Sequence, residues 1–318
     1  MAVLVGIDEA GYGPLLGPML VSSAAFDVPD ELLKGSMWAA LERSVGKAKA
    51  KLAGRLLVTD SKQAFSKELG IKHLQRTTLA CLANLGYQPA NLDELLGVLC
   101  GCGAVGRLDE YKWYQGLCGR KLEADEVDIS IAASVLGRDM EKAGVKLLWL
   151  KSCCLDVAYF NKLVDAAKNK SSVLFDTASI LMQDAIDRAG AGVIQIVVDR
   201  QGGRMDYAPG LLKMFAPEGL RVLRQDETDS SYELKMGAKT VKIHFVVEAD
   251  DRFLPVSLAS MVCKYLREML NECMNAYFLG LYPHLKPTAG YWQDGTRFVE
   301  DLKAAGCVID KERFIRIR

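Results

Sequence analysis

Four carboxylates define the chemistry this chain has to be arranged for: Asp8 and Glu9, adjacent in sequence, and the distant Asp199 and Glu268. The apolar run Val3 to Ile7 reads as a buried strand that delivers Asp8 and Glu9 into a segment broken by Gly11, Gly13, Pro14, Gly17 and Pro18. If the strand continues through both acids, they point to opposite faces. A buried carboxylate is costly unless a cation or hydrogen-bond donors compensate it, and a divalent metal compensates it well. The competing reading is a strand end running into a solvated acidic turn. Asp199 ends the β-branched run Val193 to Val198, a second buried strand, and open α/β sheets carry their sites at that edge. Glu268 lies on a helix that follows Pro255, where Leu258, Met261, Val262, Tyr265 and Met269 form one apolar stripe and Ser257, Lys264 and Glu268 one polar flank. Its plain alternative is a Lys264/Glu268 pair at i,i+4 on the surface.

The elements that must position these acids alternate between strand and helix. Met19 to Phe26 reads as a strand pairing with the first, Val145 to Cys154 as another, and Leu220 to Leu223 and Lys239 to Val247 as two more. Helices are predicted over 31–53, 67–85, 157–168 and 176–189, and the acidic, hydroxyl-rich 225–232 reads as a connection. From 87 to 144 glycines interrupt the pattern and aromatics gather at Tyr111, Trp113 and Tyr114, so this stretch reads as an inserted subdomain with some helix, including 128–143. The fold class is α/β, with a main domain formed by 1–86 and 145–318.

Composition narrows the functions available. The chain has 318 residues, half of them hydrophobic, enough for a sizeable core, and its 40 basic residues balance 40 acidic ones, so no net basic field marks a nucleic-acid binder. No run approaches the length of a membrane span and the first residues do not form a signal peptide, which leads to the expectation of a soluble, cytoplasmic protein without membrane association. Nine cysteines at irregular spacing read as reduced thiols. Cys100, Cys102 and Cys118 lack the partner ligands that a zinc site requires.

Several motifs together resemble one family. GIDEAGYGPLLGPM, residues 6–19, is similar to the opening of type 2 ribonucleases H, GxDEAGRGPLxGP. Thr59-Asp60-Ser61-Lys62 resembles the family's DSKKL segment, and Val197-Val198-Asp199 resembles the strand ending in its third catalytic aspartate. Ser257 to Glu268, SLASMVCKYLRE, resembles its SxAAASIxAKVxRD helix, and Gly290-Tyr291 with Thr296 its GYxT segment. Residues 87–144 are the least matched.

The resemblance implies a ribonuclease H-like mixed sheet flanked by helices. It implies hydrolysis of an RNA phosphodiester in an RNA/DNA hybrid or at an RNA-DNA junction, leaving a 3′-hydroxyl and a 5′-phosphate. It also implies a site of two Mg²⁺ or Mn²⁺ ions about 4 Å apart, held by Asp8, Glu9, Asp199 and Glu268, since both ions prefer carboxylate and water oxygens. Gly11 and Gly13 would admit the backbone to the 2′-hydroxyl. Tyr12, which stands in place of an arginine, exchanges a phosphate donor for a neutral ring, and Glu268 stands where aspartate is usual. Lys62, Lys264 and Tyr291 are candidate contacts to the nucleic-acid backbone. The alternatives are a nuclease acting on structured or all-DNA substrates and a non-catalytic nucleic-acid-binding module. No protein partner is indicated.

Overall fold

The sheet is built outward from the strand that carries Asp8. In the computed structural model, which describes residues 1–50, 52–65, 70–190 and 192–317, nine strands form: β1 (Ala2–Ala10), β2 (Met19–Val28), β3 (Val45–Gly46), β4 (Leu56–Leu57), β5 (Lys146–Leu155), β6 (Gly192–Asp199), β7 (Gly219–Gln225), β8 (Asp229–Met236) and β9 (Lys239–Val246). Seven make one sheet in the order β5-β2-β1-β6-β9-β8-β7, while β3 and β4 pair separately. Its centre is parallel, β1 with β6 and β6 with β9, and antiparallel pairings extend it on either side. This is the mixed sheet flanked by helices that the resemblance implies.

Strand alternation sorts the core into two layers. On one face Leu4, Leu20, Ala24 and Phe26 pack against the long helix Leu254–Leu281 and the helices Lys72–Asn84 and Leu92–Cys100. On the other, Val5, Ile7, Val21 and Ala25, joined by Ile194, Ile196 and Val198, pack against Val157–Ala167 and Lys170–Arg188. Each large aliphatic side chain withdrawn from water here contributes about 1.5–3 kcal/mol.

The long helix is buried on nearly every side over its first three turns, more deeply than a single apolar stripe implies. Pro255 starts it at a position where a missing N–H costs nothing. It meets β1 at Gly6, where a β-carbon would lie 2.1 Å from the carbonyl carbon of Pro255 and 2.2 Å from the nitrogen of Val256. Only glycine allows that contact.

Some sequence expectations are altered. Residues 31–53 do not make one helix. They form short helical pieces at Asp30–Leu33 and Met37–Ala40, separated by Gly35 and Ser36, followed by β3. The predicted helix 67–85 is seen as Lys72–Asn84, its first part falling on residues outside those described. The supposed connection 225–232 runs into β8, whose Ser230 and Ser231 are buried. Residues 87–144 are largely helical, and Leu92, Leu95, Leu96 and Leu136 join the same buried cluster as Leu4 and Leu258.

Candidate functional site

Register brings the first acids together. Ile7 pairs with Val198 in the parallel β1–β6 ladder, so the next residues, Asp8 and Asp199, leave neighbouring strands side by side. Adjacent strands lie about 4.8 Å apart. Asp8 shares its side of β1 with Leu4 and Gly6 and faces the long helix, where the Ser260 hydroxyl bonds its carboxylate and the Cys263 thiol donates to its carbonyl at 3.3 Å. Glu9 points to the opposite face, as alternation predicts, and from there acts electrostatically on the Tyr12 hydroxyl.

Two further acids lie beside them, Asp250 and the Asp60 of the Thr59-Asp60-Ser61-Lys62 segment, neither of them among the four carboxylates the sequence put forward. Asp250 sits in the one-turn helix Ala249–Arg252 just ahead of the long helix, and Ser257 donates to its carbonyl. The neighbouring Ala249 N–H donates to Asp199 Oδ1 at 2.8 Å. Asp60 caps the short helix Ser61–Ala64, accepting from the Lys62 N–H at 3.0 Å, and its carboxylate is placed to accept a hydrogen bond from Asp250 when Asp250 is protonated. Ser61 is tied to the long helix through Ser260, hydroxyl to hydroxyl, at 3.0 Å.

These carboxyls raise one another's proton affinity. Asp8, 6% exposed, is held well above the ordinary aspartate range by burial first, then by Glu9 and Asp199. Burial and Asp199 push Glu9 up to about 7. Asp250 is pushed up to about 7 by burial, then by Asp60 and Asp199. Asp199 is raised less firmly, because the Ala249 and Arg200 N–H groups and the Lys62 ammonium oppose its burial. Lys62, exposed, is the cation that acts on both Asp199 and Asp250.

Glu268 is engaged by cations of its own helix. It lies eight residues beyond Ser260, about 12 Å along the helix axis, and its carboxylate bonds Lys264 at 2.5 Å and approaches Arg267 at 3.5 Å. The plain i,i+4 reading describes this pair, except that it is largely buried rather than on the surface. Lys264 is thereby neutralised, with its ammonium also 4.7 Å from the Phe65 ring centroid. Asp250 interacts electrostatically with Asp8, Glu9 and Asp199, whereas the contacts of Glu268 are with Lys264 and Arg267. The sequence signal of Asp250 was the run Glu248-Ala249-Asp250-Asp251 directly before the Pro255 helix start.

The glycine loop after β1 is fastened from below. Gly11 has φ +91°, and a β-carbon there would fall 2.7 Å from the Pro18 carbonyl oxygen. Arg316, 3% exposed, donates to the carbonyl of Gly11 and, at 3.0 Å, to that of Tyr12. Gly13 is exposed with open space around it. Gly290, at φ +78°, accepts from the Leu15 and Leu16 N–H groups at 2.8 and 3.1 Å. Tyr291 beside it is 52% exposed, and the Arg267 guanidinium stands 5.3 Å from its ring centroid.

The resemblance among solved structures is to ribonucleases H. The chain aligns over 99% of its length with 94% of a chain in the PCNA:RNase HII complex from Archaeoglobus fulgidus, at 14% identity and a TM-score of 0.45. Over 98% it aligns with 92% of the ribonuclease H2 from Pyrococcus horikoshii OT3, at 12% identity and TM-score 0.43. Bst-RNase HIII in complex with Mn²⁺ aligns over 98% of this chain and 66% of its own, at 13% identity and TM-score 0.40. No protein-family model and no curated protein matches the chain. The roles of its residues therefore rest on the geometry described above.

Proposed function

We propose that the chain is a metal-dependent endonuclease of the ribonuclease H type, cutting the RNA strand of RNA/DNA hybrids or ribonucleotide-containing duplexes to leave 3′-hydroxyl and 5′-phosphate ends. The observation that carries this reading is the acid group itself: Asp8, Glu9, Asp199 and Asp250 gathered at the carboxyl ends of β1 and β6, two of them with proton affinities near neutrality. A fold does not accumulate like charges at partly buried strand ends without something to neutralise them.

The donor set fits a hard divalent cation. All four side chains offer carboxylate oxygen, the ligand that Mg²⁺ and Mn²⁺ prefer, and Asp60 lies just behind Asp250. Among the described residues no three acidic, histidine or cysteine side chains close into a preformed cage. Mg²⁺ as a rule keeps several waters and takes further oxygens from substrate phosphate. Bound there, such ions supply the positive charge that phosphodiester hydrolysis needs on the attacking and leaving oxygens.

The chain's own groups divide the remaining work. Ser260 and the N–H groups of Ala249 and Arg200 fix Asp8 and Asp199 in place. Lys62 presents an exposed ammonium at the rim, where a phosphate would arrive. The Gly11–Gly13 backbone, without side chains on either side of Tyr12, allows close approach to a ribose 2′-hydroxyl, and Tyr291 offers an exposed ring for a sugar or base. Lys264 acts indirectly, by holding Glu268.

The test is cleavage of labelled duplexes carrying none, one or several ribonucleotides, in Mg²⁺ or Mn²⁺, beside the Asp8→Asn variant. Cutting confined to ribonucleotide-containing strands, dependent on metal and lost in the variant, is the expected result. Cutting of all-DNA duplex would move the assignment to a nuclease of different substrate. Salt-sensitive binding without cutting would identify a binding module instead.

A further inference from the structure

Residues 87–144 supply none of the acids gathered at the strand ends, yet their last helix exposes an apolar surface. That helix, Glu126–Lys142, buries Ala132, Leu136 and Met140 and leaves Val127, Ile131 and Val135 exposed at 69%, 58% and 41%. Positions i, i+4 and i+8 fall on one stripe, so the three side chains form a band about 12 Å long. Single exposed apolar residues are ordinary on a protein surface, whereas a band of β-branched ones along one helix marks a surface made for contact. Ile131 and Val135 also line an open cavity of about 230 Å³ whose other walls include Arg43, Ser44 and Leu56, room for an apolar side chain arriving from outside.

The two ends of this helix carry opposite charge. Asp125 and Glu126 are exposed at its start, and Arg138 and Lys142 are exposed near its end. Among the described residues, none of these four forms an ion pair. A second copy of the chain laid antiparallel on the helix, about a two-fold axis at Ile131, answers both features together. Ile131 then meets Ile131 of the second copy, and Val127 comes level with Val135 and its cavity. Arg138 falls within about 3 Å, measured along the axis, of Asp125 and Glu126 of the second copy. A parallel pairing would instead set like charges against each other at both ends.

We infer that this face is a self-association surface, through which two copies of the chain pair by their Glu126–Lys142 helices in antiparallel, two-fold fashion. The surface is self-complementary, as a two-fold contact requires: each copy offers the same apolar band and one charged end of each sign. One pair of helices makes a small interface, so the dimer belongs with the weak associations that form and dissociate with concentration. This inference is independent of the nuclease reading, since it draws on none of the residues of the acid group.

The experiment is analytical ultracentrifugation of the full chain from about 1 µM to about 200 µM, a range that spans micromolar dissociation constants. The weight-average mass rises from 34.9 kDa toward twice that value. Ile131→Glu, at an exposed position, keeps the protein monomeric throughout, while Leu281→Glu, at an exposed apolar position of the long helix, leaves association unchanged. Arg138→Glu weakens the dimer several-fold by setting carboxylates against carboxylates, and adding Glu126→Lys to it recovers most of the loss. Raising salt weakens the parent dimer and strengthens that of Arg138→Glu. Thermal unfolding identifies any variant that has lost its fold, in which case the charge-reversal pair decides. A parent that stays monomeric over the whole range overturns the inference. So does a dimer that neither Ile131→Glu nor Arg138→Glu alters, because the chain then associates through another face.

Discussion

Asp250→Asn and Glu268→Gln each remove one negative charge from an acid within the same hundred residues, and the structure gives them opposite consequences. A carboxyl held near 7 instead of 3.8 disfavours the folded, metal-free protein at pH 8 by at most about 4 kcal/mol. Asp250 is partly exposed, so solvent screening reduces this to about 1–2 kcal/mol. Asp250→Asn therefore stabilises the metal-free fold by that amount. It also lowers metal-dependent cleavage by about 100-fold or more, as loss of a metal-site group does. Glu268→Gln removes the partner of Lys264 and the nearest carboxylate to Arg267, a guanidinium only 2% exposed. Arg267 keeps its 2.9 Å bond to the Ala289 carbonyl, so the cost is about 1–3 kcal/mol rather than the full penalty of a stripped buried charge. Cleavage per folded molecule stays near that of the parent. Urea unfolding at pH 8 with EDTA, paired with cleavage in Mg²⁺, measures both. A stabilised, inactive Glu268→Gln beside a destabilised, active Asp250→Asn would refute the proposal that Asp250 serves the site and Glu268 does not.

Gly6→Ala forces a β-carbon into the Pro255–Val256 backbone at about 2 Å. It is expected to destabilise the protein by about 3 kcal/mol or more, and differential scanning calorimetry reads the loss. His244 is held down to about 4, by burial first and then by Lys242, with Asp229 opposing. Its stabilising neutral state is complete above the unfolded value of about 6.5 and is lost as pH falls toward 4, by up to about 3 kcal/mol. Replacing it in His244→Gln, which can keep a bond to the Ser231 hydroxyl now 2.8 Å from Nδ1, should flatten that part of the stability profile relative to the parent in urea titrations from pH 4 to 7. An unchanged slope would contradict the burial argument.

Much of the sheet was legible because its strands are apolar and β-branched and its punctuation is glycine and proline. β1, β6 and the start of the long helix follow directly from such patterns. β8 was not, since its buried faces are serine and tyrosine whose hydroxyls find partners such as His244 and the Met205 carbonyl only in the fold. Asp8 and Asp199 could be placed from strand ends alone. Asp250 could not. Glu268 lies in a helical pattern that says which face is apolar, not how far along the axis the site lies, and Asp250 sits in a single turn whose position depends on Gly6.

The parallel pairing of β1 with β6 also bears on folding kinetics. β1 and β2 are joined by a short connection and can pair early, whereas Ile7 and Val198 are about 190 residues apart and must close a long loop. The acids are brought side by side in that late step, so their mutual repulsion belongs to the native state more than to the barrier before it. Relieving the repulsion, by protonation or by a divalent ion, should then lengthen the lifetime of the folded protein while leaving its refolding rate nearly unchanged.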